Sequence, residues 1–241
     1  MTKVIAYIGF IFILSGLLPV YIAQAEELVF AYDNYPPLAY VENGQAQGAS
    51  IDLVREACEL LGHEPVFVMQ PFVRGLDSVQ FGSVDALIDV YYTPERAKYV
   101  YYPKMGKYAD SVVVFVNKSV KQKPKSLADL AGHDVGAVRG YYLGKGVKEA
   151  LGSSLHYVKD SKILYAMLNE GRLDCVIGNY LGGELYLKKL GVFSRFESAF
   201  VVEDLEYHLA FSRILGPKGQ VLADEFAVAI EQILARRHAK E

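Results

Sequence analysis

Residues 82–96 read GSVDALIDVYYTPER. Asp85 to Asp89 is a short apolar run between charged ends, the mark of a strand buried on both faces. Thr93, Pro94 and Glu95 then make a helix start. They supply a hydroxyl N-cap, a proline at the first helical position and a carboxylate at the positive end of the helix dipole. A buried strand feeding a helix start is part of a βαβ unit, whose strands run parallel. Asp89, Tyr91 and Tyr92 lie at the carboxyl end of that strand, where open α/β sheets bind ligands.

The same alternation extends in both directions. Leu28 to Tyr32 reads as a strand and Asp33 to Pro37 as a turn. Ser50 to Leu61 carries apolar residues at helix spacing, with Gly62 as its stop. Pro65 to Val68 is a strand, Val73 to Phe81 a helix ended by Gly82, and Ser111 to Val116 strongly β-forming. Lys118 to Lys125 (KSVKQKPK) breaks the composition, and a second series follows. It comprises a short helix capped by Ser126, a strand Asp134–Val138 and a helix Tyr142–Leu151. After these come a strand Leu155–Val158, a helix from Lys162 to near Gly171 and a strand Asp174–Ile177. A helix through Leu190, a strand Glu206–Ser212 and an amphipathic helix Gly219–Arg236 complete the chain. Two α/β lobes with a cleft between them are the expected architecture. The expected segments are 26–116 and 210–241 for the first lobe and 117–209 for the second, with hinge crossings near Val116-Asn117 and Leu209–Phe211.

The first 25 residues have their own character. Lys3 is followed by an apolar run to Ile22 and by Ala23-Gln24-Ala25, a small-residue exit of the A-x-A kind. That is the grammar of a cleaved secretory leader and implies a periplasmic location. An uncleaved anchor is the alternative, disfavoured by Pro19 and by the A-x-A site. No cysteine stands at the cleavage point for lipid attachment. Cleavage after Ala25 removes Lys3, the leader's one charge, and takes the formal net charge from −3 to −4. With no basic block, nucleic acid is not an expected partner. Cys58 and Cys175, the only cysteines, each fall in an apolar pattern and read as buried free thiols; a bridge between them is the alternative.

The residues after each strand carry the chemistry. They are Asp33 and Tyr35 after the first strand, and Phe72 and Arg74 after the second. Asp89, Tyr91, Thr93 and Arg96 follow the third. Arg139 and Tyr141 follow Asp134–Val138, and Asn179 follows Asp174–Ile177. Arginines grip carboxylates in a bidentate fork, and the 18 tyrosines offer flat faces that suit a polar cleft. A small anionic or zwitterionic ligand is therefore expected, in a cleft made net positive by Arg74, Arg96 and Arg139. Singly each of these residues also has a plain structural reading as helix cap, surface ion pair or solvated turn. No Ser-His-Asp set, metal-ligand spacing or phosphate loop occurs, so neither a cofactor nor a metal is expected. A catalytic reading on the same scaffold would need Asp89, Glu184 or His208 as acid or base.

In order, the chain resembles the extracellular solute-binding proteins of family 3. The resemblance is carried by Tyr35-Pro36-Pro37-Leu38 with Gly48 and Ile51-Asp52-Leu53; by Gly82 to Ala86; and by Thr93-Pro94-Glu95-Arg96. It continues in Ser126 to Gly132, in Val135-Gly136 with Arg139-Gly140, and in Glu170 to Asp174. The resemblance implies a type II periplasmic-binding fold with a two-strand hinge and closure around ligand. It implies a non-catalytic, monomeric receptor serving a membrane permease of the ABC type, or a sensor; some dehydratases also resemble the family. By matching motifs it gives Arg96 the ligand carboxylate, Tyr35 a ligand contact and Arg139–Tyr142 a loop donating backbone N–H groups. The chain departs from the pattern at Asn179, where amino-acid receptors often carry an aspartate for the ligand ammonium. It also departs at Asp85–Arg96, which is one residue short. A ligand other than a cationic amino acid is expected from the first departure; either Asp89 replaces the missing carboxylate or the ligand lacks an ammonium.

Overall fold

A computed structural model describes residues 25–239. The leader read at residues 1–25 lies outside the described residues, Ala25 excepted. The amino-terminal half comprises β1 (Glu26–Tyr32), a hairpin of β2 (Tyr40–Glu42) and β3 (Gln45–Gln47), and α1 (Ala49–Leu61). It continues with β4 (His63–Met69), α2 (Phe72–Gln80) and β5 (Ala86–Tyr91). Strands β4, β1 and β5 are adjacent and parallel, as the alternation predicts. The hairpin turns on Asn43-Gly44, both at positive φ (52° and 77°), a pairing that the sequence reading does not include.

The predicted helix at Thr93 is a correction. Arg96–Lys98 makes a single 3₁₀ turn, and the chain then enters β6 (Val100–Tyr101). Thr93 does cap it, its Oγ1 accepting from the Arg96 N–H at 3.2 Å. Val100 and Tyr101 prefer a sheet partner, pairing with Phe211 and Ser212, and this stops the helix after one turn.

The second half contains β8 (Val135–Val138), α3 (Val147–Leu151), β9 (Leu155–Val158), α4 (Ser161–Asn169), β10 (Cys175–Asn179) and α5 (Tyr180–Lys189). Here β8 pairs in parallel with both β9 and β10. The Tyr142–Leu151 helix shortens to Val147–Leu151, because Gly144 (φ 95°) and Gly146 (φ 80°) break it. Two long antiparallel strands, β7 (Lys104–Asn117) and β11 (Phe196–Ser212), join the halves, and α6 (Pro217–His238) packs back on the first. They complete one sheet in the order β4-β1-β5-β11-β7-β10-β8-β9, with β6 beside β11. The sheet is therefore mixed, and β11 is much longer than the Glu206–Ser212 strand read from sequence.

Each half buries its own core on both faces of its share of the sheet. In the first, Phe30, Phe211 and Phe226 pack with α1 on one face, while Val79, Leu87 and Val90 pack under α2 on the other. In the second, Val114, Val135 and Ile177 occupy one face and Phe115, Tyr165 and Leu187 the other. Burial of each large apolar side chain contributes about 1.5–3 kcal/mol, so neither half depends on the other for its hydrophobic core. Between them lies a separate cluster of Tyr35, Leu38, Tyr91 and Tyr207.

Cys58 belongs to the core under α1 and Cys175 to a core of the second half, and both are free and buried. Burial pushes each thiol up to about 12. Thiol titration of the unfolded protein without reductant is expected to find two reactive sulfhydryls and the native protein none. A protein that yields none after unfolding would carry a bridge that contradicts this arrangement.

Candidate functional site

The carboxyl ends of β1, β5, β8 and β10 converge on a small, partly open cavity. Asp33, Tyr35, Phe72, Asp89, Tyr91, Tyr141 and Asn179, all singled out from sequence, line it. Ile88, Tyr142 and Tyr207 line it as well. Tyr207 has no strand-end position to reveal it; it arrives from the long return strand β11 and stacks on Tyr91 at 4.6 Å between centroids.

Several contacts in and around the cavity bridge the two halves. The Tyr141 hydroxyl donates to Asp33 Oδ2 at 2.8 Å, and Asn179 Nδ2 donates to the Tyr91 hydroxyl. The Gly182 N–H donates to the Tyr35 hydroxyl at 2.9 Å. That approach requires glycine, since a Cβ on Gly182 would stand 2.3 Å from the Tyr35 ring. Tyr35 and Tyr207 both donate to Asp110 Oδ2, at 3.0 and 2.9 Å. Burial raises the pKa of Asp33, and the Tyr141 hydrogen bond lowers it in part. Burial likewise lifts Tyr35, Tyr141 and Tyr207 well above the usual phenol range, so they act as neutral donors.

Asp89 is the unusual member. Between Leu87↔Ala210 and Val90↔His208 the ladder holds two residues on β5 against one on β11, a β-bulge. Asp89 sits in that bulge with φ 58°, in the left-handed region. Bulges occur beside functional sites because they redirect a side chain. One carboxylate oxygen, Oδ1, accepts from the Ser50 hydroxyl at 2.6 Å. The other, Oδ2, is shut off from solvent and accepts no hydrogen bond. Burial pushes this carboxyl up to about 7, against a smaller lowering by Ser50. Its folded pKa lies above the ordinary 3.8, so the folded state holds the proton longer. Its cost to stability is absent below about pH 4, grows as pH rises toward 7, and is complete above that.

Arg96 stands just outside the lining. Its guanidinium donates to the carbonyls of Tyr91 (3.0 Å) and Gly140 (2.9 Å), one from each half, and lies 5.3 Å from the centroid of the Phe72 ring. It is 8% exposed, and among the described residues no carboxylate forms an ion pair with it. Burial lowers its pKa. Arg74 and Arg139 are exposed, and neither lines the cavity. The expectation of a net-positive cleft is thereby corrected: the lining carries Asp33 and Asp89 and no cationic side chain. Strand-end position selected these arginines, but it does not fix the direction of a long side chain at the surface.

Two α/β halves, joined by long antiparallel strands and closed over a tyrosine-walled cavity, are the architecture of the two-lobe periplasmic binding proteins. The sequence gives the same class more narrowly: the chain belongs to the bacterial extracellular solute-binding proteins, family 3, whose model matches residues 28–235. No curated protein matches the chain. Among solved structures it is similar to a histidine kinase sensor domain that itself resembles periplasmic binding proteins (TM-score 0.79, 18% identity, 90% of this chain and 93% of that one). It is also similar to a P235GK mutant of the ArgBP protein of T. maritima (TM-score 0.76, 21% identity, 87% and 90% covered). A third is AbpA, an amino acid ABC transporter substrate-binding protein of Streptococcus pneumoniae bound to L-arginine (TM-score 0.75, 24% identity, 87% and 90% covered). At these identities the likeness establishes the fold alone.

Proposed function

We propose that the chain is a non-catalytic periplasmic receptor that captures a small, carboxylate-bearing, amino-acid-like solute by closure of two lobes. The observation that carries this reading is Arg96. A buried guanidinium bonded to two main-chain carbonyls, one from each half, leaves donors for a carboxylate and has no ion-pair partner among the described residues. A ligand carboxylate there would neutralise the charge and bind both halves through one residue. Membership of an extracellular solute-binding family supports the periplasmic location, and neighbours bound to arginine support an amino-acid-like solute. Family and neighbours are binding proteins, and of the three candidate acid–base residues only Asp89 lines the cavity. Glu184 pairs with Lys188 at 3.1 Å on α5, away from the lining.

The receiver of the closed form would be the permease of an importer. The sensor-domain neighbour favours a second reading, in which the receiver is a signalling kinase. In both, closure hinges on the β7–β11 pair. Val112–Val116 pairs with β10, and Tyr207–Phe211 with β5. The crossings are therefore proposed in β7 before Val112 and in β11 near Leu205–Tyr207, upstream of the 116/117 and 209/210 points read from sequence.

A thermal-shift screen of amino acids and related small acids tests the reading, because a ligand that binds only the folded state raises the midpoint with concentration. At a hundred times its dissociation constant the ligand adds about 2.7 kcal/mol. With a hit in hand, small-angle scattering is expected to give a smaller radius of gyration at saturation. An unchanged radius would argue for a preformed pocket in place of a hinge.

A further inference from the structure

We infer that the end of the first half opposite the cavity, marked by Phe81 and Ile214, is a seat for a lipid surface. The inference does not depend on which solute the cavity takes.

Phe81 and Ile214 are the most exposed large apolar side chains among the described residues, at 73% and 68%. They come from different elements: Phe81 closes α2, and Ile214 lies just past the end of β11. Gly82 brings them together. It sits at φ 72°, and its α-carbon is so near Ile214 that an added Cβ would stand 2.7 Å from Cγ2. Isolated apolar side chains are ordinary at a surface, whereas contiguous ones mark contact with a partner or a membrane.

The chain that leads into this end of the molecule selects the occupant. β1 starts at Glu26, which pairs with Lys218 in the first turn of α6, four residues past Ile214. Asp85 follows the Gly82 turn; its Oδ2 accepts from the Val29 N–H at 2.7 Å, and its own N–H donates to the Val29 carbonyl at 2.9 Å. The start of β1, the Phe81 turn and Ile214 therefore share one end of the sheet. In sequence, only four residues separate Glu26 from Ile22, the end of the apolar run that begins at Val4. An extended chain spans at most about 3.6 Å per residue, so that run ends no more than about 14 Å from Glu26. A run of that length and polarity enters a bilayer. While it is attached, Phe81 and Ile214 are held beside lipid, and the cavity, at the carboxyl ends of β1 and β5, faces away.

Arg213 suits the headgroups. It is exposed and precedes Ile214. Its Nε donates to the carbonyls of Ala97 (3.0 Å) and Val100 (3.2 Å), and its guanidinium lies 4.2 Å from the centroid of the Tyr101 ring. Among the described residues no hydrogen bond engages its two terminal nitrogens, which leaves a fork for a phosphate. The apolar pair would enter the acyl boundary and Arg213 the phosphate layer, the division that interfacial segments use. A second copy fits less well, since a two-fold contact centred on the pair would bring two Arg213 groups close together.

The test exploits the absence of tryptophan from the chain, so that one introduced tryptophan reports its own surroundings. The full chain, apolar run included, is placed in vesicles of phosphatidylethanolamine and phosphatidylglycerol, with or without bromine on the acyl chains. Leu190→Trp is the control, at a 45% exposed site ending α5 in the second half. Phe81→Trp is expected to emit further to the blue than this control and to be quenched at least threefold more by brominated lipid. Gln80→Trp keeps both apolar side chains and reads their part: its quenching should fall at least threefold when Phe81→Ser and Ile214→Ser are added, with circular dichroism unchanged. Equal quenching of the Phe81→Trp and Leu190→Trp proteins overturns the assignment. So does a Gln80→Trp signal indifferent to the two serines, which would leave the tether alone holding this end near lipid. A blue shift without bromine quenching, growing with the protein-to-lipid ratio, would give the face to a second copy and overturn the lipid seat.

Discussion

Replacing Arg96 by alanine is expected to weaken binding of the carboxylate-bearing solute at least a hundredfold. Truncating one partner of a buried, hydrogen-bonded charge pair costs about 2–5 kcal/mol, much of it from the charge left behind. Here that orphan would be the ligand carboxylate in a low-dielectric cleft. Arg96 also links Tyr91 of the first half to Gly140 of the second, so its loss also removes a tie that favours the closed form. Folding is expected to survive, because the guanidinium bonds carbonyls at the cleft and belongs to none of the apolar cores. Arg96→Lys separates charge from geometry. An ammonium supplies the positive charge but not a planar fork that serves two carbonyls and a carboxylate together. It should recover only part of the loss. Calorimetry with a ligand from the screen, alongside circular dichroism of the free proteins, makes the comparison. Normal affinity in the alanine variant would remove Arg96 from the site.

Much of the fold was legible because its signals are local. Gly62, read as the stop of α1, ends it in the left-handed conformation (φ 76°). Apolar runs such as Ala86–Ile88 are strands because they are covered on both faces. The length of β11 was not legible. Residues 196–206 are mostly part-exposed and mix charged with apolar residues, and it is pairing with β7 that holds them extended. The same non-local pairing is what places the proposed crossings away from the apolar stretches. Those stretches are apolar because each lies inside one core.

The candidate site was legible where it follows a strand end and illegible where it arrives from afar. Tyr35, Tyr91, Tyr141 and Asn179 lie at the end of a strand or up to three residues past it, and Asp89 lies two residues before the end of β5. Tyr207 and Asp110 lie inside the long strands, and Ser50 in a helix, so only the assembled sheet brings them to the cavity wall or behind it. The bulge that holds Asp89 was not legible, since it depends on how β11 pairs with β5.

Asp110 is where the largest loss of stability is expected. It is 4% exposed and lies in β7. Its Oδ2 accepts from the hydroxyls of Tyr35 (3.0 Å) and Tyr207 (2.9 Å), and its Oδ1 from the N–H groups of Ser111 (2.8 Å) and Leu181 (3.2 Å). Leu181 is in the first turn of α5, where a negative charge also meets the positive end of the helix dipole. No single element therefore holds this carboxylate; it joins the first-half loop, both long strands and a second-half helix. Asp110→Ala leaves buried hydroxyls and a helix-terminal N–H without an acceptor, at about 1–3 kcal/mol for each that cannot find another. A total near 3–5 kcal/mol is expected, a large share of a domain stability of about 5–15 kcal/mol. Asp110→Asn should lose less, because its carbonyl can keep the two N–H groups while the amide meets hydroxyls that rotate to accept. Urea unfolding followed separately by tyrosine fluorescence and far-ultraviolet circular dichroism gives both quantities. The alanine variant should unfold at lower urea, and the two signals should separate as the halves lose their common support. Coincident curves at the wild-type midpoint would show that the contacts around Asp110 carry no net stability and that the halves are joined by their strands alone.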